Sequence, residues 1–224
     1  MSEPAPPEAG YLRLRSDIVS GRLAPNQRLV EADLSEALRV GRDAVRTALV
    51  RLEQEGLVER ERFRGARVRS VELAEAVELL EARAALEEVA ARRAAERVTA
   101  EAERRLREIL AETRCALDAG DLLAASERNP ALHGEILEIA ASGTLCRLIA
   151  NLNAQVVRFR YRTILAPGRP ERSLQEHGAI VDAVAAGDAP AAEAAMRRHL
   201  TRVVEAVRWL DRVEAPPGGK ERQA

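Results

Sequence analysis

Hydrophobic residues in the larger, C-terminal part of this sequence recur every three to four positions through six long stretches, and this spacing limits the fold more than any other feature. A period of about 3.6 residues is the pattern of an amphipathic helix that buries one face. The stretches cover approximately 72–98, 100–119, 121–141, 143–165, 171–187 and 188–212. Most of them are separated by segments that contain glycine or proline. Six helices with one apolar face each predict an all-helical bundle over residues 71–213.

The first part of the chain has a different organisation, with shorter elements. Three short helices and a hairpin are predicted over 11–21, 30–38, 42–56 and 57–70. A tight turn, "RVG", joins the second and third helices. Two helices joined in this way and followed by a hairpin are typical of a winged helix-turn-helix domain, here over residues 11–70. Residues 1–10 and 214–224 are rich in proline, glycine and charged residues, so we expect disordered tails there.

The composition supports a mainly α fold. The chain has 224 residues, which is enough for two domains that each bury a core. Hydrophobic residues make up 46% of the sequence but aromatic residues only 2%. A chain dominated by Ala, Leu, Val, Arg and Glu favours helix over strand. We therefore expect an N-terminal winged helix-turn-helix domain followed by a C-terminal helical bundle.

The sequence argues against a membrane-embedded or secreted protein. Its longest uncharged runs fall well short of the roughly 18 apolar residues that a membrane-spanning helix needs. The N-terminal segment "MSEPAPPEAG" has neither the basic start nor the apolar core of a signal peptide. Two cysteines, Cys115 and Cys146, are too few for a disulfide framework. We expect a cytoplasmic protein with no membrane partner.

Arginines mark the N-terminal domain as a candidate DNA-binding unit. Arg42 and Arg46 lie four positions apart at the start of the third helix, on one face and away from Val45 and Leu49. The first turns of a recognition helix reach base edges in the major groove, and arginine suits bidentate contact with guanine. The hairpin segment "RERFRGARVR" adds five arginines that suit phosphates or a minor groove. The alternative is an ordinary solvated surface, because arginine is abundant throughout this chain.

All three histidines of the chain lie on apolar faces of predicted helices. His133 and His177 are followed by apolar residues at helical spacing, and His199 has such residues on both sides. The three histidines belong to three different helices. A buried imidazole needs a polar partner. One such residue is usually a core histidine with a satisfied hydrogen bond, but three of three suggest convergence on one point. Neutral imidazoles that converge are typical ligands of a transition metal.

The N-terminal pattern resembles the DNA-binding domain of the GntR family of bacterial transcription regulators. The segment "LVEADLSEALRVGRDAVRTALVRLEQEGLVERERFRGARV" carries the resemblance, which extends over about residues 11–68. The family usually has glycine at the position of Asn26 and serine at that of Gly41. The resemblance implies that Arg42, Arg46 and Gly65 contact DNA. Thr47 and the wing residue Arg64 complete the DNA-binding set that we predict.

The C-terminal part, residues 72–210, resembles the FCD domain of the FadR-type branch of the same family. Asn129 precedes His133 by four positions, and Glu176-His177 and the later His199 follow the family pattern. The resemblance implies that Asn129 and the three histidines hold a divalent cation, zinc or nickel. It also implies that water or an effector carboxylate takes the remaining coordination positions.

Two of the residues implied in this way have alternative interpretations. Asn129 precedes Pro130, and the pair could instead be an N-cap and a first-turn proline. Arg83 matches a pocket-facing arginine that would bind an anionic effector, but it could instead pair with Glu87 at i+4. Further candidates for the effector site are Arg158, Arg160 and Tyr161.

Together these observations predict a homodimeric transcription regulator that is not an enzyme. We expect it to bind double-stranded DNA at a short inverted repeat, as a two-fold symmetric repressor does, and to respond to a small organic acid. The alternative is a metal-dependent hydrolase that uses the three histidines, for which Glu176 is the one evident general base. A third interpretation is a helical interaction module without metal.

Overall fold

The computed structural model describes residues 7–61, 65–163 and 166–214, and the chain divides into two compact units between Glu72 and Leu73. The N-terminal unit contains helices α1 (Pro7–Val19), α2 (Glu31–Leu38) and α3 (Arg42–Gln54) and strands β1 (Arg28–Leu29), β2 (Val58–Glu61) and β3 (Gly65–Val68). The strands form an antiparallel sheet in the order β1-β3-β2. This is the predicted winged helix-turn-helix fold.

The core of the N-terminal unit includes the apolar residues of α3 that their helical spacing predicted to face inward. Val45, Leu49 and Leu52 of α3 are almost completely buried. Gly56 has φ 72° and ends α3, as a glycine after a helix commonly does. Asn26 has φ 62°, a left-handed conformation that asparagine tolerates better than most residues other than glycine. This conformation explains why asparagine can stand where the family usually has glycine.

Two local predictions for this unit differ from the structure. Helix α1 begins at Pro7, so residues 7–10 form its first turn rather than part of a disordered tail. Proline is well suited to the first turn of a helix, and Gly10 packs closely against Val40. Strand β1 lies in a segment predicted as loop. Two residues are too few to show a strand pattern, and β1 exists because it pairs with β3.

The C-terminal unit consists of six helices, as predicted: α4 (Leu73–Ala95), α5 (Ala100–Asp118), α6 (Leu122–Ala140), α7 (Gly143–Thr163), α8 (Arg169–Ala185) and α9 (Ala189–Glu214). Helix α9 packs along α4 and α8, and α5 packs against α6. The main core cluster joins these helices through Leu106, Leu132, Ile136, Ile180 and Met196. Alanines of α4 in the same cluster, Ala91 and Ala94, are fully buried and allow close helix packing. The predicted C-terminal tail beyond Glu214 lies outside the described residues.

The start of α5 provides a first test of the fold. The Thr99 side chain accepts a hydrogen bond from the Ala102 backbone N–H at 3.2 Å, which caps the helix. Thr99→Ala should lower the free energy of unfolding by about 1 kcal/mol. Urea denaturation of the full chain measures this, with Trp209 fluorescence as the probe. The control Thr201→Ala removes an exposed hydroxyl within α9 and should change stability by less than about 0.5 kcal/mol.

In the part of the chain that the structure describes, no helix combines the length and the apolar character that crossing a bilayer requires.

Candidate metal centre

The three histidines converge in the core of the C-terminal unit. His133 lies on α6, His177 on α8 and His199 on α9, and each is at least 96% buried. One ring nitrogen from each lies within 4.8 Å of those of the other two. The Nε2 atoms of His177 and His199 are 3.3 Å apart. The convergence predicted from the sequence is therefore present.

This spacing is compatible with a metal ion shared by the rings, and also with a hydrogen bond between His177 and His199. Two nitrogens bound at about 2.0–2.1 Å to one ion lie roughly 2.8–3.0 Å apart at an octahedral angle and roughly 3.3–3.4 Å apart at a tetrahedral angle. The 3.3 Å between the two Nε2 atoms falls in the tetrahedral range. The Nε2 of His133 is buried and has no hydrogen-bond partner within the described ranges. A cation between the rings would satisfy this nitrogen.

Two buried carboxylates orient two of the three imidazole rings. The Nδ1 of His133 donates to Glu87 of α4, and the Nδ1 of His199 donates to Glu176 of α8 at 2.8 Å. A carboxylate on Nδ1 leaves the Nε2 of a neutral ring unprotonated and available to a metal. The sequence had indicated Glu87 only as a partner of Arg83, because its contact with His133 spans 46 positions.

The electrostatic environment keeps two of the imidazoles neutral and Glu87 ionised. Burial lowers the pKa of His177 and of His199, and neighbouring positive groups lower both further. Burial alone would raise the pKa of Glu87, but the charge of Arg83 and the hydrogen bonds from Arg83 and His133 outweigh it and hold that pKa well below its usual range. Neutral imidazole is the form that binds metal.

Asn129 lies in the middle of α6, so the helix-cap interpretation of this residue is wrong. Helix α6 begins at Leu122, and its N-cap is Asp121, whose side chain accepts from the Ala124 N–H at 2.9 Å. Pro130 stands inside the helix rather than in its first turn. The Oδ1 of Asn129 is buried and has no hydrogen-bond partner among the residues described. It lines the same cavity as His177 and His199.

A cavity of about 80 Å³ adjoins the histidines. Its polar lining includes Arg83, Ser126, Asn129 and Arg169, and its apolar lining includes Leu80, Val156 and Val207. Arg83 is buried and donates from Nε to Glu87, so the predicted i,i+4 ion pair is present. The Arg83 side chain also borders the cavity. The side chains of Arg158, Arg160 and Tyr161, the other candidates, lie outside the described part of the structure.

Sequence analysis missed Arg169, which also lines this cavity. Its Nη2 lies 2.9 Å from the Glu176 carboxylate, and its side chain is 10% exposed. Arg169 and Glu176 are seven positions apart on α8 and share a face of that helix. The seven-residue spacing in the sequence could have indicated that Arg169 lies near Glu176. It does not show what that face of the helix contacts.

Glu176 is engaged as a structural partner rather than poised as a general base. One of its oxygens accepts from His199 and Arg169, and the other lies 3.1 Å from Arg202. A carboxylate that holds three cationic or N–H groups is a poor acceptor for a proton from water. The geometry therefore does not favour the hydrolase alternative.

The predicted DNA-binding residues of α3 lie on one exposed face. Arg42 is the first residue of the helix, and Gly41 precedes it as an N-cap without a side-chain hydrogen bond. Arg46 pairs with Glu31 at 3.1 Å and with Asp43 at 3.4 Å. The Thr47 hydroxyl donates to the Asp43 carbonyl at 2.9 Å, which leaves its lone pairs accessible.

The arginines of the wing are partly neutralised by acidic residues of the wing and of α3. Arg67 pairs with Glu59 at 2.9 Å, and Arg60 approaches Glu53 at 3.9 Å. Gly65 has φ 88°, a conformation that favours glycine, at the start of β3. Arg64 lies outside the described residues.

Comparison with known proteins agrees with this architecture. Residues 8–68 match the model of the bacterial regulatory proteins of the gntR family, and residues 78–202 match the model of the FCD domain. The chain belongs to the GntR family. It is a bacterial transcription regulator with a C-terminal FCD domain, and the prediction that it is not an enzyme is confirmed by this membership.

Relatives within the GntR family span nearly the whole chain. The HTH-type transcriptional repressor RspR of Escherichia coli K12 is 33% identical over 200 residues, which cover 89% of this chain and 88% of RspR. The regulator YdfH of Escherichia coli O6:H1 is 33% identical over 209 residues and 92% of each chain. The structure of E. coli McbR/YncC has the same fold, with a TM-score of 0.75 at 20% identity over 91% of this chain and 97% of McbR/YncC.

Proposed function

We propose that this GntR-family chain is a homodimeric repressor controlled by a small organic acid, which binds beside a divalent metal in the FCD domain. In this proposal the N-terminal unit binds DNA, and the C-terminal unit binds metal and effector and forms the dimer. The observation that carries the proposal is the convergence of three buried imidazole nitrogens within 4.8 Å. DNA binding gives the protein a cytoplasmic site of action.

The donor set fits a transition metal such as zinc or nickel. His133, His177 and His199 supply three nitrogens, and Asn129 supplies a carbonyl oxygen that is otherwise unsatisfied within the described residues. Glu87 and Glu176 hold two of the rings in the orientation that ligation requires. A bound divalent ion would supply a Lewis-acidic positive charge that attracts a carboxylate.

The cavity beside the histidines is the proposed effector site. Arg83 borders it, and its guanidinium adds positive charge next to the position that the metal would take. The cavity walls come from all six helices of the C-terminal unit, α4 to α9. A ligand that contacts several of them favours the arrangement of the bundle that fits it. By reciprocity, effector and operator must change each other's affinity by the same factor.

On the DNA side, we propose that Arg42, Arg46 and Thr47 read one major-groove half-site. Arg64 and Gly65 would contact the backbone or the minor groove beside it. A two-fold dimer presents two such surfaces and therefore matches an inverted repeat. A repressing role agrees with that of the relative RspR, an HTH-type transcriptional repressor.

Metal analysis of the purified full chain tests the proposal. We expect about one zinc or nickel per chain after reconstitution and dialysis, and essentially none in His177→Ala, because two nitrogens and an amide bind weakly. Gln175→Ala, an exposed change on the same helix, is the matched control and should keep the metal. Asn129→Asp should bind metal more tightly than the wild type, because a carboxylate is a stronger ligand than a neutral amide.

A wild-type chain that is folded by circular dichroism yet takes up no metal would contradict the metal part of the proposal. It would favour the view that the three histidines are core residues.

A further inference from the structure

The exposed side of the recognition helix α3 carries more than Arg42 and Arg46. The buried residues of this helix share its opposite side and are Val45, Ala48, Leu49 and Leu52. At 3.6 residues per turn, the direction away from them is taken by Asp43, Thr47 and Val50, at i, i+4 and i+7. These three residues form a central row, and Arg46 lies beside it. The central row is therefore the part of α3 that points most directly away from the core and toward a bound groove.

Asp43 is an acidic side chain on a face where DNA phosphates would repel it. Its side chain is 98% exposed, and it lies in the first turn of α3. Arg46 does not depend on Asp43 for a counter-charge, because Glu31 is closer to it, at 3.1 Å against 3.4 Å. An acid stabilises a helix dipole from any position of the first turn. The dipole therefore does not explain why the acid stands on the central row, whereas a contact with a base edge requires that position.

Cytosine is the base that best suits a carboxylate in the major groove. Guanine presents two acceptors there, N7 and O6, and thymine presents the acceptor O4, so both repel a carboxylate. Adenine offers its N6 amino group beside the acceptor N7. Cytosine offers its N4 amino group with no acceptor of its own beside it. A carboxylate on the central row therefore favours cytosine over the other three bases.

Val50 is an aliphatic side chain at the other end of the central row. It is 37% exposed, although it lies on a face that is otherwise polar or charged. Thymine is the base that presents a methyl group in the major groove, and apolar side chains contact that group. The seven positions from Asp43 to Val50 span roughly 10 Å along the helix axis. This length corresponds to at most about three base-pair steps of the duplex.

We propose that Asp43 and Val50 determine the operator sequence together with the arginines: Asp43 accepts from the N4 amino group of a cytosine, and Val50 contacts the methyl group of a thymine within about three base pairs of it. This inference rests on the proposed binding of α3 in a major-groove half-site. It adds two specificity-determining residues and names the base that each of them reads.

The base preferences of the full chain and of Asp43→Asn test the cytosine contact. Each protein selects its binding sites from a pool of random duplexes, and the selected sites are sequenced. At one position of each half-site the wild type should prefer cytosine over adenine by roughly ten-fold or more. Asp43→Asn should reverse this preference, because asparagine pairs with N6 and N7 of adenine. The other positions should keep their preferences.

Glu53→Gln is the matched control for the change of charge. It removes one negative charge from the C-terminal part of the same helix, so it should raise affinity for any duplex but keep the base preferences of the wild type. If Asp43→Asn is folded by circular dichroism and also keeps these preferences, Asp43 serves only its own helix and Arg46. The cytosine contact would then be wrong.

Uracil, which lacks the methyl group of thymine, tests the contact of Val50. Each thymine of the selected operator is replaced in turn by deoxyuridine, and binding is measured by fluorescence anisotropy. One replacement within about three base pairs of the cytosine should weaken wild-type binding roughly four-fold, the contribution of one buried methyl group. Val50→Ser should bind this operator more weakly and should not respond to that replacement. An equal response of Val50→Ser and the wild type would assign the methyl group to another residue and overturn the thymine contact.

The same measurements separate this inference from the proposed function. A wild type that selects no common sequence would contradict half-site readout by α3, and this inference with it. A selected operator that loses affinity in Arg42→Ala/Arg46→Ala, but whose base preferences do not change in Asp43→Asn or Val50→Ser, would overturn this inference alone.

Discussion

Replacing Arg42 and Arg46 together by alanine should lower the affinity for a specific operator by about a thousand-fold. Both side chains leave the exposed face of α3 within its first two turns, where a recognition helix meets base edges. Each bidentate contact of arginine with guanine contributes roughly ten- to a hundred-fold in discrimination. Loss of both contacts removes direct base readout but leaves the wing arginines to bind DNA without sequence preference.

Fluorescence anisotropy with an operator selected by the wild type from random DNA measures this effect. The competitor is an unrelated duplex at the same salt concentration, because affinities for DNA depend steeply on salt. Arg104→Ala removes an exposed arginine of the C-terminal unit and should leave operator affinity unchanged. Operator affinity retained by folded Arg42→Ala/Arg46→Ala would assign base readout to another surface.

The two arginines at the start of α3 differ in their contacts within the free protein. Arg46 is held by Glu31 and Asp43 in the free protein, whereas Arg42 has no ion pair among the residues described. Glu31 therefore restrains the Arg46 side chain in the free protein, and we expect it to position Arg46 for DNA. Glu31→Gln should weaken operator binding less than Arg46→Ala does, because it removes only the positioning contact and leaves the guanidinium.

Replacing Glu87 by leucine should lower the free energy of unfolding by about 3–5 kcal/mol. Glu87 is 2% exposed and accepts from both Arg83 and His133. Leucine keeps a similar volume but leaves the buried Arg83 cation without a counter-charge. For a chain of this size the change corresponds to a fall of roughly 6–20 °C in Tm.

Thermal and urea denaturation of metal-free protein measure this loss without the added stability of a bound ion. The chain has a single tryptophan, Trp209 on α9, so its fluorescence reports on the C-terminal unit alone. Glu81→Leu is the control. Glu81 lies on α4, as Glu87 does, and is an exposed partner of Arg208, so its replacement should lower the free energy of unfolding by less than about 1 kcal/mol.

A double variant separates the loss of charge pairing from a packing defect. Arg83→Met/Glu87→Leu removes both charges and should recover much of the stability that Glu87→Leu loses. If the double variant is as unstable as the single one, the loss comes from packing or from the unsatisfied His133 Nδ1 rather than from the unpaired arginine.

The sequence determined the secondary structure and the two-part architecture, since these depend on local spacing. Burial of one face every 3.6 residues is a property of each helix by itself, and it predicted the six helices of the bundle and the inward residues of α3. The same spacing placed each histidine on an apolar face. It could not reveal the two-residue strand β1, which exists only through its pairing with β3.

The tertiary structure alone decided which of these buried groups meet. His133 reaches Glu87 across 46 positions and His199 reaches Glu176 across 23, and both contacts depend on how helices cross. Periodicity fixes which face of a helix is buried but not the height or angle at which a neighbour packs on it. For the same reason the sequence could not choose between cap and cavity for Asn129, nor show that Arg169 has one donor satisfied and the other buried without a partner within the described residues.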